Sequence, residues 1–269
     1  QSVTYGLDGE FPVTVTGLRD LVINTMRLVD GTHSIVMEAI DAVGHTTRET
    51  IRFTVDNTPP RVDISAPEDG SYLKGRVNIE WRVVEENIRD VTLTIDGTAY
   101  NVTNTVSYVW GTTTIADGAH NVTIAIRDMT DHITLAKIDV TVDNTKPSVG
   151  ITTPTDKAEL SGTVIITFTA SDANLKSISL IINASIYDVT GKTSFAWDTT
   201  SVGDGSYIIK LVAYDKAGNM AETSITSTTI NVRLAIEATR NMYLAIGIPI
   251  GLIIGIAVAW AMLKRKKHQ

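Results

Sequence analysis

The stretch that decides the fold is Asp117-Gly118-Ala119-His120-Asn121-Val122-Thr123-Ile124-Ala125-Ile126-Arg127. After its Asp-Gly turn, Val122, Ile124 and Ile126 fall on one face, and Asn121, Thr123 and Arg127 on the other. A period of two is that of a half-buried strand in an antiparallel sheet. The same opening recurs 87 residues away on either side, as Asp30-Gly31-Thr32-His33 and Asp204-Gly205-Ser206-Tyr207. The offset also relates Asp41, Asp128 and Asp215. It carries Asp56-Asn57-Thr58 onto Asp143-Asn144-Thr145, Trp110 onto Trp197, Trp81 onto Phe168 and Pro60 onto Pro147. One register held over so many anchors is an internal repeat.

Within the second repeat, alternation places strands near Arg61–Ala66, Arg76–Val84, Asp90–Ile95, Ala99–Thr103, Val106–Trp110, His120–Arg127 and Leu135–Val142. Asp96-Gly97 supplies the residues tolerant of positive φ that a tight hairpin needs. About seven short strands in ~90 residues is the pattern of an immunoglobulin-like β-sandwich. His33, His120 and Tyr207 each open a strand in phase with its inward residues. That is where a sandwich carries a corner tyrosine bonded back to the chain, and a histidine ring nitrogen can imitate the hydroxyl. The fold class is therefore all-β: tandem immunoglobulin-like sandwiches of about seven strands each, followed by one transmembrane α-helix.

Composition agrees. The 269 residues are 43% hydrophobic and 20% charged, which excludes a disordered chain. With no cysteine there is neither a disulfide scaffold nor a thiolate site. Setting aside Lys264, Arg265, Lys266 and Lys267, the chain carries 19 basic residues against 30 acidic ones. An acidic body without a basic stripe argues against nucleic-acid binding.

Three pieces carry a resemblance: Asp204-Gly205; Ala213-Tyr214-Asp215-Lys216-Ala217-Gly218-Asn219; and Val55-Asp56-Asn57-Thr58-Pro59-Pro60. With them, residues 1 to about 232 resemble the bacterial and archaeal Ig-like repeats of large cell-surface proteins. Such repeats serve as stalks, adhesins and appendages of secreted enzymes, so the resemblance is specific for fold and poor for function. The second repeat departs from it, with Asp131-His132 in place of Gly218-Asn219, and a different turn is expected there.

The implied organisation is a partial sandwich at 1–58, complete sandwiches at 59–145 and 146–232, a neck at 233–241, a membrane helix at 242–263 and a basic tail at 264–269. The first repeat starts at its third strand, since Val3-Thr4-Tyr5-Gly6-Leu7-Asp8-Gly9 aligns with Val91–Gly97 after a one-residue slip. The expectation is a start within a longer chain, with strand donation by another chain as the alternative.

Met242–Leu263 is 22 residues without a charge. At ~1.5 Å per residue a helix of that length spans about 33 Å, enough for a bilayer core. Tyr243 and Trp260 lie near its two ends, and the basic cluster that follows places the tail in the cytoplasm and the repeats outside. No L-P-x-T-G motif precedes it, so covalent wall attachment is not expected. Gly247, Gly251, Gly255 and Ala259 line one helix face and would permit close packing on a second helix.

Four of the five histidines form repeat-equivalent pairs, His33 with His120 and His45 with His132. Residues recurring in each copy serve the fold better than a single active site, and no catalytic motif is present. Calcium is the sharper possibility. The second-to-third and sixth-to-seventh strand loops of such a sandwich face the preceding repeat. This gathers Glu85, Glu86, Asp128 and Asp131 near Asp56 and Asn57, and Asp172 and Asp215 near Asp143 and Asn144. Clustered oxygen ligands at a hinge suit Ca2+; equally, Asp and Asn are turn residues that bond their own backbone. Asn101, Asn121 and Asn183 head N-x-S/T sequons.

The expected function is a structural or adhesive cell-surface stalk, non-catalytic, part of a surface layer or its anchor. Its partners would be the membrane, other surface proteins and further copies of itself. The alternatives are the stalk of a larger secreted hydrolase, or a subunit of a membrane complex packed through the glycine face.

Overall fold

β-Branched residues in alternation, punctuated by Asp-Gly and Asn turns, build successive strands between Ser2 and Thr229. The computed structural model describes residues 2–17 and 20–245. The first repeat holds β1 (Ser2–Leu7), β2 (Val13–Thr14), β3 (Gly31–Ile40) and β4 (Thr46–Val55). The second holds β5 (Arg61–Ala66), β6 (Tyr72–Leu73), β7 (Arg76–Val84), β8 (Ile88–Ile95), β9 (Thr98–Asn101), β10 (Ser107–Gly111), β11 (Gly118–Asp128) and β12 (Ile133–Val142). The third holds β13 (Ser148–Thr153), β14 (Glu159–Leu160), β15 (Thr163–Ser171), β16 (Leu175–Ile182), β17 (Ser185–Asp188), β18 (Ser194–Asp198), β19 (Gly205–Asp215) and β20 (Met220–Thr229). A helix, α1 (Asn231–Ala245), follows.

The chain groups into two compact units, and the boundary between them runs through the second repeat. One comprises residues 1–71, 76–110 and 119–140; the other comprises 72–75, 111–118 and 141–269.

In the first unit, β1 to β4 form one sheet in the order β2-β1-β3-β4. β7 lies between β5 and β10, and β11 lies between β12 and β8, with β9 at the edge. Ile79, Trp81, Leu93, Val122, Ile124 and Ile126 fill the interior, as the alternation requires. In the second unit, β15 lies between β13 and β18, and β14-β20-β19-β16-β17 forms the facing sheet. Ile166, Phe168, Leu180, Trp197, Ile209 and Leu211 pack between the two.

Each complete repeat has eight strands where the sequence pattern gave seven. The extra ones, β6 and β14, are two residues long and pair in parallel with the ends of β12 and β20. No period of two is visible in so short a piece. The hairpin at Asp131-His132 also keeps the turn of its counterparts. Asp128 donates its N–H to the His132 carbonyl at 3.1 Å, as Asp215 does to Asn219. Asp131 adopts φ 69° where Gly218 has φ 82°. Asp is among the few residues that tolerate this region, and Arg89 holds its carboxylate at 2.6 Å.

The corner residues behave as expected. The Tyr207 hydroxyl donates to the Gly203 carbonyl at 3.0 Å, and His33 Nε2 lies 2.8 Å from the Val29 carbonyl. The His120 ring meets Trp110 edge-on at 5.8 Å, as Tyr207 meets Trp197 at 5.3 Å.

One feature of every repeat was only partly legible. Where the last strand ends, an asparagine folds back on the sandwich it has just left. Asn144 Nδ2 donates to the Thr112 carbonyl at 3.0 Å, and its Oδ1 accepts from the Gly75 N–H at 3.0 Å. Asn231 does the same with Thr199 and Gly162, at 2.8 and 3.0 Å. Asn57 Nδ2 reaches the Thr25 carbonyl at 3.0 Å. Asp117 of the Asp-Gly turn accepts from the Asn144 N–H at 2.8 Å, as Asp30 does from Asn57 at 2.6 Å. Asp204 accepts from Val232 N–H at 3.1 Å and so caps α1. Asn57, Asn144 and Asn231 are spaced by 87, as are Thr25, Thr112 and Thr199.

Residues 233–241, read as a neck, lie within α1. Among the described residues no helix is long and apolar enough to cross a membrane. The Met242–Leu263 span lies outside the described residues beyond Ala245, as do Gly247, Gly251, Gly255 and Ala259.

Replacing Asn144 by Ala strands the Gly75 N–H and the Thr112 carbonyl, and is expected to cost about 2–3 kcal/mol. Asn57→Ala, which frees the Thr25 and Leu28 carbonyls but strands no N–H, is expected to cost less. Chemical denaturation of the two variants beside the wild type measures both.

Candidate metal centres

The two acidic triads are built from the same three places in successive repeats. Asp56 and Asp143 sit in the linkers, one residue past β4 and β12. Glu85 and Asp172 follow β7 and β15, and Asp128 and Asp215 end β11 and β19. One carboxylate oxygen each from Asp56, Glu85 and Asp128 lies within 4.8 Å of the others, and so do those of Asp143, Asp172 and Asp215. Each triad lies within one compact unit.

Hydrogen bonds hold the loops in place. Glu85 accepts from the Asn87 N–H at 2.7 Å and Asp172 from the Asn174 N–H at 2.7 Å, both within their own turns. The Asn174 amide then reaches across to Asp143 Oδ2 at 2.8 Å. Asn87 points the same way toward Asp56, at 3.4 Å. Asp128 and Asp215 are fully buried and accept from the turns they begin. Burial pushes the Asp128 carboxyl up, but hydrogen bonds from the His132 N–H, Thr130 and the His132 ring outweigh it. The group therefore stays below the usual carboxylate range and ionised.

The triads differ in one partner. Asp128 Oδ2 has the His132 Nδ1 at 2.9 Å, whereas Asp215 Oδ2 accepts from the Asn219 amide at 2.7 Å. Among the described residues no Lys, Arg or His pairs with Asp143, Asp172 or Asp215. Two unit negative charges ~5 Å apart repel by roughly 3 kcal/mol at an effective dielectric of ~20. A divalent cation removes that repulsion. The donors are all hard oxygens, the set that suits Ca2+ rather than a thiophilic metal.

Of the ten residues expected near a metal, these six converge. Asn57 and Asn144 do not, because their amides close the sandwich they leave. Glu86 is exposed and outside the triad. Asp131 is paired with Arg89 and lies 3.7 Å from Arg127. Asn87, Asn174, His132 and Asn219 were missed as neighbours of the triads. Their recurrence at the 87-residue offset was the available signal for Asn87 and Asn174.

Of the sequon asparagines, Asn101 accepts at its Oδ1 from the Thr103 N–H. Asn183 sits at φ 50° in a hairpin turn with its Oδ1 on the Ile208 N–H. Asn121 is half-buried and donates to Asp139 at 2.8 Å.

Residues 60–124 and 147–211 match the family described as bacterial Ig domain. Among solved structures, the chain is similar to the fibronectin(III)-like modules of Clostridium thermocellum CbhA, at 20% identity and a TM-score of 0.46, over 65% of this chain and 96% of that one. It is also similar to a Ca2+-stabilized adhesin that helps an Antarctic bacterium bind ice, at 21% identity and a TM-score of 0.35, over 85% and 64%. A 1.5-MDa bacterial ice-binding adhesin gives 19% identity and a TM-score of 0.33, over 85% of both chains. These likenesses concern fold. The curated proteins yield no match.

The corner of the first repeat predicts a pH window. The Asp8 carboxylate, 2.6 Å from Nδ1, and then the Val29 carbonyl raise the His33 pKa, while His33 and then the Ser34 N–H lower that of Asp8. The His33 contribution is complete below its ordinary pKa of about 6.5 and is lost as pH rises through the raised value. The Asp8 contribution is complete above about 3.9 and is lost as pH falls through the lowered value. Denaturant midpoints of the first repeat, followed by hydrogen exchange across pH 3–9, should be greatest between these limits. His33→Tyr should remove the alkaline fall.

Proposed function

We propose that this chain is a cell-surface stalk: tandem Ig-like sandwiches joined by short, restrained linkers, with a structural or adhesive role and no catalysis. The observation that carries this is the hold on the linkers, back to the preceding repeat at both and forward to the next repeat most firmly at the second. Asp56–Pro60 and Asp143–Pro147 are five residues each. Asn57 and Asn144 are tied back to the repeat before. Asp143 is tied forward by the Asn174 amide and, through its carbonyl, by the Asn219 amide at 2.8 Å. A linker bonded on both sides, with prolines at its end, has little freedom to bend.

Ca2+ at the two triads fits this role. Asp56, Glu85 and Asp128 would hold one ion, and Asp143, Asp172 and Asp215 another. The ion supplies positive charge shared between a linker carboxylate and two loops of the following repeat. The protein's own part is to keep Asp128 and Asp215 buried in their turns and to present the linker aspartate by its clamp.

The Met242–Leu263 span anchors the stalk in this reading, with Lys264–Lys267 on the cytoplasmic side and the repeats outside. The anchor serves a surface layer or neighbouring surface proteins.

Two experiments test the proposal. Fractionation of the cells that make the protein should place it with membranes, with its repeats open to protease on intact cells. A chain ending before Met242 should be released, and retention of that chain would exclude the anchor. Millimolar Ca2+ should raise the melting temperature by several degrees, the size of effect expected when the ion is ~100-fold above its dissociation constant. Asp172→Asn should abolish most of the rise from the second triad, and an unchanged melting temperature in the wild type would exclude the ions.

A further inference from the structure

The first repeat has one sheet where its neighbours in sequence have two, and the side chains that should be its core show what is missing. Val3, Tyr5 and Leu7 on β1 stand opposite Ala39, Met37 and Ile35 on β3. The same register in the second repeat pairs Val91, Leu93 and Ile95 with Ile126, Ile124 and Val122. Those six are buried, with Leu93, Val122, Ile124 and Ile126 fully so, whereas none of the first-repeat six is. Ile51 on β4 is 49% exposed, while its counterpart Ile138 is buried. Among the described residues no second sheet covers this face.

Polar groups are left over at the same place. Thr112 donates both its N–H and its hydroxyl to the Gly75 carbonyl, at 2.7 and 3.0 Å, just before β7 begins. Thr199 does so to Gly162, before β15, at 3.0 and 2.8 Å. The equivalent hydroxyl of Thr25 has no partner among the described residues, and neither has Asn57 Oδ1, the counterpart of the oxygens that accept from Gly75 and Gly162. Residues 20–24, which align with β10, form no strand, and Val22 is 90% exposed. β10 exists in the second repeat because β7 lies beside it.

We propose that this face is the seat of a two-stranded segment homologous to β5 and β7. We infer that the same polypeptide supplies it from ahead of residue 1. A backbone N–H and carbonyl at its entry to the second strand meet Asn57 and Thr25. Its alternating apolar side chains cover Val3, Tyr5, Ile35 and Met37, and its edge converts residues 20–24 into a strand. A second copy of the described repeats is a poor donor. Its β7 and β15 are already sealed in their own sandwiches, with Ile79, Trp81, Ile166 and Phe168 buried. In the complete repeats the covering strands come directly before the sheet they cover, with only residues 85–87 or 172–174 between. The inference is independent of both the cation and the anchor.

The test is amide hydrogen exchange on the protein isolated from its own cells, with its N-terminal sequence read by mass spectrometry, beside the 269-residue chain. The expected result is an upstream segment about as long as residues 60–87, with exchange in β1 and β3 slowed at least ~10-fold. Thr25→Val should speed that exchange in the native protein, as Thr112→Val should in the second repeat, and leave the 269-residue chain unchanged. Three results would overturn the proposal: a native chain that begins at residue 1, upstream residues that leave β1 and β3 unprotected, or protection supplied by a different polypeptide.

Discussion

A peptide leaving a β-sandwich exposes backbone groups that the last strand no longer satisfies, and one asparagine side chain per repeat settles them. Its amide offers a donor and an acceptor on one planar group. In the complete repeats it therefore closes two backbone positions at once, the carbonyl of a threonine and the N–H of a glycine. The aspartate of the Asp-Gly turn holds the asparagine's own N–H in the first two repeats. In those repeats the hydroxyl of the threonine that follows the asparagine, Thr58 or Thr145, and then the asparagine N–H keep Asp30 and Asp117 below the usual carboxylate range. Everything beyond depends on this clamp, because it fixes where the linker aspartate starts its approach to the next repeat.

The linker aspartate explains why the acidic triads occur where they do. Asp56 and Asp143 immediately precede the clamping asparagine, and at the third clamp the same position is Ile230. No further sandwich is described beyond that position; a helix follows, capped by Asp204. The sequence thus places a carboxylate at the linkers that lead into a described sandwich and an apolar residue at the one that leads into a helix. The triads also differ chemically. His132 sets an imidazole nitrogen against the first, while Asn219 sets a neutral amide against the second.

Sequence reading went furthest where side chains repeat with the period of the strand or of the fold. The 87-residue offset and the alternation in β11 were enough to place the sheets and the corner residues, and the loop positions of an Ig-like sandwich gave ten candidate ligands of which six carboxylates meet. Reading failed where a residue's role depends on a partner far along the chain. Asn57 and Asn144 look like ligands because they neighbour the linker aspartates, yet their amides turn away to Thr25 and Thr112. Asn231 carries no Asp-Asn-Thr signature and was passed over, although its spacing marks it. β6 and β14 are too short to show a period. The turn at Asp131 was expected to differ because glycine is absent, but aspartate adopts the same left-handed conformation.

The central claim is that the clamped linker is as firmly held as the sandwiches it joins. Native-state hydrogen exchange at the Asn144 N–H, bonded to Asp117, reads this directly. Protection close to that of Ile124 in the core is the predicted result. Exchange as fast as an exposed loop would mean that the linker opens freely, and that neither the clamp nor the triads are held as described.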